Sequence, residues 1–336
     1  MIPIKTTLRV GVVGAGGIAN AHLPAWLHLG ADVRVHSLHG APELVERHGG
    51  GQVACSLDEL LAGVDVVDVC TPTFAHPEIV LAAAAAGRHV VCEKPLALDP
   101  DTAESMVAAC AAAGVQLYPG HVVRFFPEYA AMQRAVADGA IGTPAVLTFH
   151  RCGSRPLRGW FADPALSGGI IMDQMIHDLD FARWLGGEVD SVHARLSDSA
   201  PGTATGVVSA HVTARHRNGV ISNVTGTWAR PGTRFRYGFR VAGTDGLLAY
   251  DSADDPSLRT DTGAPDAGGE RLLPDVSLVE SPFIAELGEF AAAFAGGPPP
   301  RVDAADGVAA VRLAAAANAS LASGRPEAVE LAGVPA

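Results

Sequence analysis

The chain is short of positive charge, of cysteine and of long apolar runs, and each shortage excludes a class of function. Its 336 residues carry 24 Lys and Arg against 36 Asp and Glu, a formal net charge of −12. A nucleic-acid binder presents a basic face, so that partner is excluded. The five cysteines (Cys55, Cys70, Cys92, Cys110, Cys152) are odd in number and form no C-x-x-C pair. Such usage points to buried, reduced thiols in a cytoplasmic protein, with no metal site. No run approaches the eighteen apolar residues that a membrane span requires. Met1-Ile2-Pro3-Ile4-Lys5 leads directly into a strand and a Gly-rich turn, unlike a signal peptide. What remains is a chain that is 48% hydrophobic, long enough for two cored domains, and acidic in the manner of a protein that handles small molecules.

The first third alternates strand with helix. Thr7–Val13 is a buried-strand pattern that breaks into Gly14-Ala15-Gly16-Gly17-Ile18-Ala19 and then a helix. Strand, G-x-G-x-x-A, helix is the arrangement in which glycines allow a tight turn and the helix amides meet a pyrophosphate. Strands follow at Asp32–Ser37, Val64–Cys70, His89–Cys92 and Val115–Tyr118. Between them lie helices, among them one opened by Ser56-Leu57-Asp58-Glu59 in capping-box form. This predicts a doubly wound parallel sheet, with ligand groups beyond the carboxyl ends of the strands: Gly14–Ala19, Ser37–His39, Thr71–His76, Glu93-Lys94-Pro95 and Gly120-His121. An acid is missing at one place. Where an NAD-selective unit usually carries Asp or Glu for the ribose hydroxyls, this chain has Ser37-Leu38-His39 and no nearby Arg, so NAD and NADP both stay open. Lys94, directly after a buried apolar strand, reads either as a surface ion pair or as an ammonium held beside a nicotinamide.

Beyond His121 the pattern changes to a helix at Pro127–Asp138 and then to successive strands joined by turns such as Asn218-Gly219. An antiparallel or mixed sheet is expected, so the domains are placed at 1–121 and 122–336. Asp251–Pro274 reads as a mobile excursion, and helices at Pro282–Phe294 and Ala304–Ala322 close the chain. Arg151–Trp160 is a basic loop with an aromatic, suited to a polyhydroxylated or anionic substrate or simply a connection. Inserted among the strands, Ile171–Leu185 runs as a helix from Gly168-Gly169 to Gly186-Gly187. At about 100° per residue, Asp173, His177, Asp180 and Trp184 share one stripe opposite Ile171, Met172, Met175, Leu179 and Ala182. Two acids, a histidine and a tryptophan without a lysine suit the wall of a cleft, although most Asp–His pairs at this spacing are structural.

These segments together resemble the glucose–fructose oxidoreductase / inositol dehydrogenase (Gfo/Idh/MocA) family. The resemblance rests on GVVGAGGIA (Gly11–Ala19), CTPTFAHPE (Cys70–Glu78), CEKPLA (Cys92–Ala97), VRFFPEY (Val123–Tyr129), GGIIMDQMIHDLDFARWL (Gly168–Leu185) and VAGTDGLL (Val241–Leu248). It implies a Rossmann domain followed by an α+β domain whose open-faced, largely antiparallel sheet has helices on one side, with the active site between the two. It also implies an NAD(P)-dependent oxidoreductase in which Lys94, His177 and Asp173 are catalytic. Cofactor contacts carry over to Gly14, Gly16, Gly17, Ile18, Thr71, His76, Glu93 and Lys94, joined by Ser37 at the second strand. Arg124, Trp160, Lys94, Asp173 and His177 are expected at a sugar or cyclitol substrate. Val122 stands where the family often has Asn, a departure that puts one polar contact in doubt. A homodimer or homotetramer is implied, formed through the exposed sheet face, which alone would be a large apolar patch. In the reaction so implied His177 takes the hydroxyl proton as general base, Asp173 orients it and Lys94 steadies the reacting oxygen. A redox-assisted glycosidase and a non-catalytic nucleotide sensor are the competing readings.

Overall fold

Alternation of apolar strands with helices through the first 120 residues builds one sheet, and hairpins build a second. The computed structural model describes residues 7–156, 159–201, 206–253 and 281–330, in two units: residues 1–125 with 276–308, and residues 126–275 with 309–336.

The first unit runs β1 (Arg9–Val13), α1 (Ala19–His28), β2 (Asp32–His36), α2 (Ala41–His48), β3 (Gln52–Val53), α3 (Leu57–Gly63), β4 (Val66–Val69), α4 (His76–Ala85), β5 (His89–Glu93), α5 (Pro100–Ala112) and β6 (Leu117–Gly120). All strands are parallel in the order β3-β2-β1-β4-β5-β6. β1, β4 and β5 are buried on both faces, as their unbroken apolar runs require. The caps follow the chemistry of the sequence. Ser56 accepts from the Glu59 amide and Asp99 from the Thr102 amide.

The second unit holds α6 (Pro127–Ala137), β7 (Pro144–Ser154), α7 (Gly159–Ala162), α8 (Pro164–Ser167), α9 (Ile176–Gly186), β8 (Val189–Asp198), β9 (Val208–His216), β10 (Ile221–Ala229), β11 (Arg236–Gly243) and β12 (Leu247–Asp251). After residue 280 come α10 (Pro282–Phe294), α11 (Ala304–Ser323) and β13 (Glu327–Ala328). The seven-stranded sheet has the order β12-β11-β7-β10-β9-β8-β13 and is mixed, since β7 and β10 are parallel while the other pairs are antiparallel. α9 lies on one face, against β7 and β10. Beneath it Tyr129, Phe149, Phe181 and Phe239 form an aromatic core, with the Tyr129 and Phe181 rings 4.9 Å apart and edge-on.

Three expectations are corrected by the fold. The division at residue 121 does not hold, because α10 returns to the first unit: Phe290 stacks on Tyr118 at 5.2 Å and Phe283 packs against His22 at 5.5 Å. The outward face of the second sheet is not a large apolar patch. Thr213 bonds Asn223, His211 bonds Thr225 and Ser209 bonds Thr227 across β9 and β10, so its middle is polar. The segment expected as a loop from Arg151 begins only at Arg155, since Arg151–Ser154 complete β7. The excursion expected at Asp251–Pro274 lies, from 254 onward, outside the described residues.

Candidate active site

The first group of residues gathers at the carboxyl ends of β1, β4 and β5, which are neighbours in the sheet. Gly14 has φ +112°, and a Cβ there would stand 2.6 Å from the Cys70 carbonyl oxygen, so only glycine lets the chain leave β1 past β4. A Cβ on Gly16 or Gly17 would meet nothing within 4 Å. Ile18 precedes α1 and no side chain caps its first turn. The Thr71 hydroxyl is buried with no partner among the described residues. Open space over uncapped helix amides, flanked by an orphaned hydroxyl, fits the pyrophosphate of a dinucleotide. Ser37 follows the end of β2, next to Leu38, which is 89% exposed.

Lys94, half-buried, follows the last residue of β5 and is the sole lysine among the described residues. Its backbone amide donates to Glu93 Oε2 at 3.1 Å. Two neighbours expected to touch cofactor are turned elsewhere. The Glu93 carboxylate is 5% exposed, with Oε1 3.0 Å from His22 Nε2. His76 is 1% exposed; Nδ1 lies 3.0 Å from the Pro95 carbonyl and Nε2 2.9 Å from that of Thr71, while burial pushes its pKa down. The ring braces the end of β4 against the turn after Lys94. Arg124 is corrected likewise. It is 1% exposed and donates to Asp306 at 2.9 Å and to the Arg301 carbonyl at 2.8 Å, so it fastens the segment after β6 rather than awaiting a substrate. Val122 is buried and brings no polar group.

The second group lies on the helix of the second unit. Gly168 and Gly169 have φ of +72° and +70°, and the chain then makes a π-helical turn, Ile171–Met175, before α9. The wider turn is one often met at functional sites, and it shifts the register of Asp173 from the ideal stripe. It packs close on the sheet: a Cβ on Gly226 would stand 2.4 Å from Met175 Cγ. Asp173 and His177 are half-buried, four residues apart, as is Trp184. Asp180, expected beside them, is 1% exposed. Arg151, expected over the substrate, is 3% exposed and holds the fully buried Asp178 through two bonds of 3.0 and 2.8 Å. Burial, the largest single influence, lowers the Arg151 pKa, but the charge and hydrogen bonds of Asp178 together with Tyr129 and Tyr237 more than offset it, and the guanidinium stays charged. Trp160 is half-buried and stacks on Phe161 at 3.7 Å. A cavity of about 510 Å³ in this unit is bounded by Arg155, Phe161, Gly169, Leu196 and Trp228, and neither Asp173 nor His177 lines it.

His22, Asp68 and Glu286 were not among the residues expected at the site. Asp68 was the visible signal, an acid within Val66-Val67-Asp68-Val69, because a charge in a buried parallel strand demands a partner. His22, Asp68 and Cys70 bring donor atoms within 4.8 Å of one another. The three are engaged with one another, His22 Nδ1 lying 2.9 Å from Asp68 Oδ2 and the Cys70 thiol donating to Asp68 Oδ1 at 3.6 Å.

Two family models match. Residues 8–121 match the oxidoreductase family with an NAD-binding Rossmann fold, and residues 129–249 match the GFO/IDH/MocA C-terminal domain. The myo-inositol 2-dehydrogenase of Thermotoga maritima is 32% identical over 339 residues, covering 94% of this chain and 96% of the relative. The 1,5-anhydro-D-fructose reductase of Ensifer adhaerens is also 32% identical, over 343 residues and 98% of each chain. The crystal structure of GenD2, from gentamicin A biosynthesis in complex with NAD, superposes with a TM-score of 0.84 at 26% identity, over 98% of this chain and 99% of that one. No helix among the described residues is long and apolar enough to cross a membrane.

Proposed function

The chain belongs to the Gfo/Idh/MocA oxidoreductase family, and on that premise we propose that it is an NAD-dependent dehydrogenase of a secondary alcohol on a sugar or cyclitol. The observation that carries the reading is the position of Lys94, one residue beyond β5, at the same carboxyl edge of the sheet from which the glycine turn leaves β1 two strands away. The names of the relatives, an inositol dehydrogenase and an anhydro-fructose reductase, support the substrate class.

With a dinucleotide held at the glycine turn, its nicotinamide would supply the hydride acceptor or donor. Gly14, Gly16, Gly17, Ile18, Thr71 and Ser37 are assigned to holding the dinucleotide. His177 is assigned as general base, taking the hydroxyl proton as the carbon loses hydride, and returning it in the reverse direction. Asp173, one turn before it, orients the imidazole and favours its charged form. Lys94 donates to the reacting oxygen and stabilises charge that develops there. The same proposal gives Trp160 to the substrate and leaves Arg124 out. Association of like chains through the outward face of the second sheet completes it, as a polar contact.

Absorbance at 340 nm with a panel of polyols and keto-sugars, under NAD⁺ and NADP⁺ in turn, tests the reading. Net reduction with at least one cyclitol or sugar is expected. Glycoside hydrolysis without net reduction, or binding of NADH with no turnover of any kind, would overturn it in favour of a redox-assisted glycosidase or a sensor.

A further inference from the structure

Beneath Lys94 lies a buried charge cluster that the proposed reaction does not yet use. Parallel registry of β4 and β5 puts Asp68, Cys70 and Glu93 on one face of the first sheet, and α1 drops His22 between the two carboxylates. His22 is 0% exposed. Nδ1 lies 2.9 Å from Asp68 Oδ2, and Nε2 lies 3.0 Å from Glu93 Oε1. The second approach has the distance of an ion pair, at an angle outside that of a hydrogen bond. Trp26 Nε1 donates to Asp68 at 2.7 Å, and Phe283 closes over the ring. Two carboxylates facing the two nitrogens of one ring call for a proton on each nitrogen.

The groups facing this cluster come from every element around it: Asp68 and Cys70 from β4, Glu93 and Cys92 from β5, His76 from α4, Glu286 and Glu289 from α10. Burial, the largest single influence, pushes the His22 pKa down, but the charges and hydrogen bonds of Asp68 and Cys70 together outweigh it, so the imidazole titrates well above its usual range. Burial pushes the Glu286 carboxyl well above its usual range, helped by the nearby Glu93 charge. One cation thus stands between two anions, and Glu93 is bound at both ends: Oε1 to His22, Oε2 to the Lys94 amide.

We propose that His22 is a positioning residue for Lys94: its imidazolium, wedged between Asp68 and Glu93, holds the Glu93 carboxylate where it accepts the Lys94 amide, and so fixes the point from which the lysine side chain leaves β5. The inference rests on the proposed role of Lys94. Gly120 belongs to the same device, since a Cβ there would stand 2.7 Å from Glu93 Oε1. Glycine at the end of β6 leaves the carboxylate its place.

The chain has only two lysines, Lys5 and Lys94, so protein labelled with ¹⁵N-lysine gives two backbone amide signals, and one reports the Glu93 bond directly. His22→Gln should shift the Lys94 amide signal and leave that of Lys5 in place. Gly120→Ala, which displaces the carboxylate by crowding without removing any bonding group, should shift the same signal and covers the case of a His22 variant that does not fold. Both variants should lose roughly ten- to a hundred-fold in kcat, the scale of a misplaced catalytic group, with KM for NAD⁺ within about three-fold of wild type. An unmoved Lys94 amide in both variants, or unchanged kcat in a folded His22→Gln protein, overturns the inference and leaves the dehydrogenase reading intact. A wild type inert with every polyol and both cofactors overturns that reading first, and the inference falls with it.

Discussion

Replacing Asp178 with alanine should unfold the second unit readily, although the residue is adjacent to the proposed base His177. Arg151 is 3% exposed and Asp178 is fully buried; they share bonds of 3.0 and 2.8 Å, and Tyr129 adds its hydroxyl to the same carboxylate at 3.2 Å. The Phe235 and Tyr237 rings flank the guanidinium at 5.6 and 5.8 Å, so water has no easy route to it. Removing Asp178 strands a buried cation, a change that costs about 3–5 kcal/mol. Against the roughly 5–15 kcal/mol that holds a domain folded, this is about a fifth of the total or more. At about 2–4 °C per kcal/mol, Tm should fall by roughly 6–20 °C in a fluorescence or circular-dichroism melt. The paired replacement Arg151→Met with Asp178→Leu removes both charges and should recover all but about 1–2 kcal/mol, because the expense lies in the unpaired charge and not in losing the pair. A single-variant cost under about 1 kcal/mol, or a double variant as unstable as the single, would refute this reading.

Three other outcomes follow from the same geometry. Glu286 is buried with no partner for either oxygen among the described residues, and its pKa is raised, so the folded state holds a proton that the unfolded chain releases above its ordinary value near 4.5. Stability from this group is complete below that value and is lost as pH rises toward the folded pKa. Glu286→Gln should therefore gain Tm over wild type as pH goes from 5 to 8, and a gap constant with pH would contradict it. Gly14→Ala forces a side chain at φ +112° and 2.6 Å from the Cys70 carbonyl oxygen, so NADH affinity by fluorescence titration should weaken at least ten-fold; equal affinity counts against the glycine turn as the dinucleotide seat. Gly226→Val would push on Met175 beneath the π-helical turn. Overpacking there should cost about 1–3 kcal/mol in a urea melt, and a neutral result would mean that the turn yields freely.

Much of the first unit was legible because its signals are local. The glycine turn and the capping side chain of Ser56, like the Asn218-Gly219 hairpin of the second unit, each follow from a few adjacent residues. The bounds of α10 were legible too, at Pro282–Phe294, yet its partner was not: nothing local in an Ala- and Phe-rich helix says that Phe283 and Phe290 will meet His22 and Tyr118. The π-helical turn left no trace in the apolar period, and it moved Asp173 off the ideal stripe. Arg151 and Arg124 looked available because arginine is usually exposed; each found an acid far along the chain, the buried Asp178 and the half-buried Asp306. Of the candidate site, Lys94, Asp173 and His177 were legible as chemistry on strand and helix ends. The His22 cluster beneath Lys94 was not, since its members come from four separate elements.

The central claim is that hydride leaves a secondary alcohol while His177 takes the proton. Deuterium placed on the carbinol carbon of an accepted cyclitol tests it most directly, with NADH recovered after turnover and weighed by mass spectrometry. Wild type should yield NADH one mass unit heavier, and His177→Ala should do so about 10²–10⁴ times more slowly while still binding NADH. Unlabelled NADH, or undiminished turnover in His177→Ala, would contradict the account.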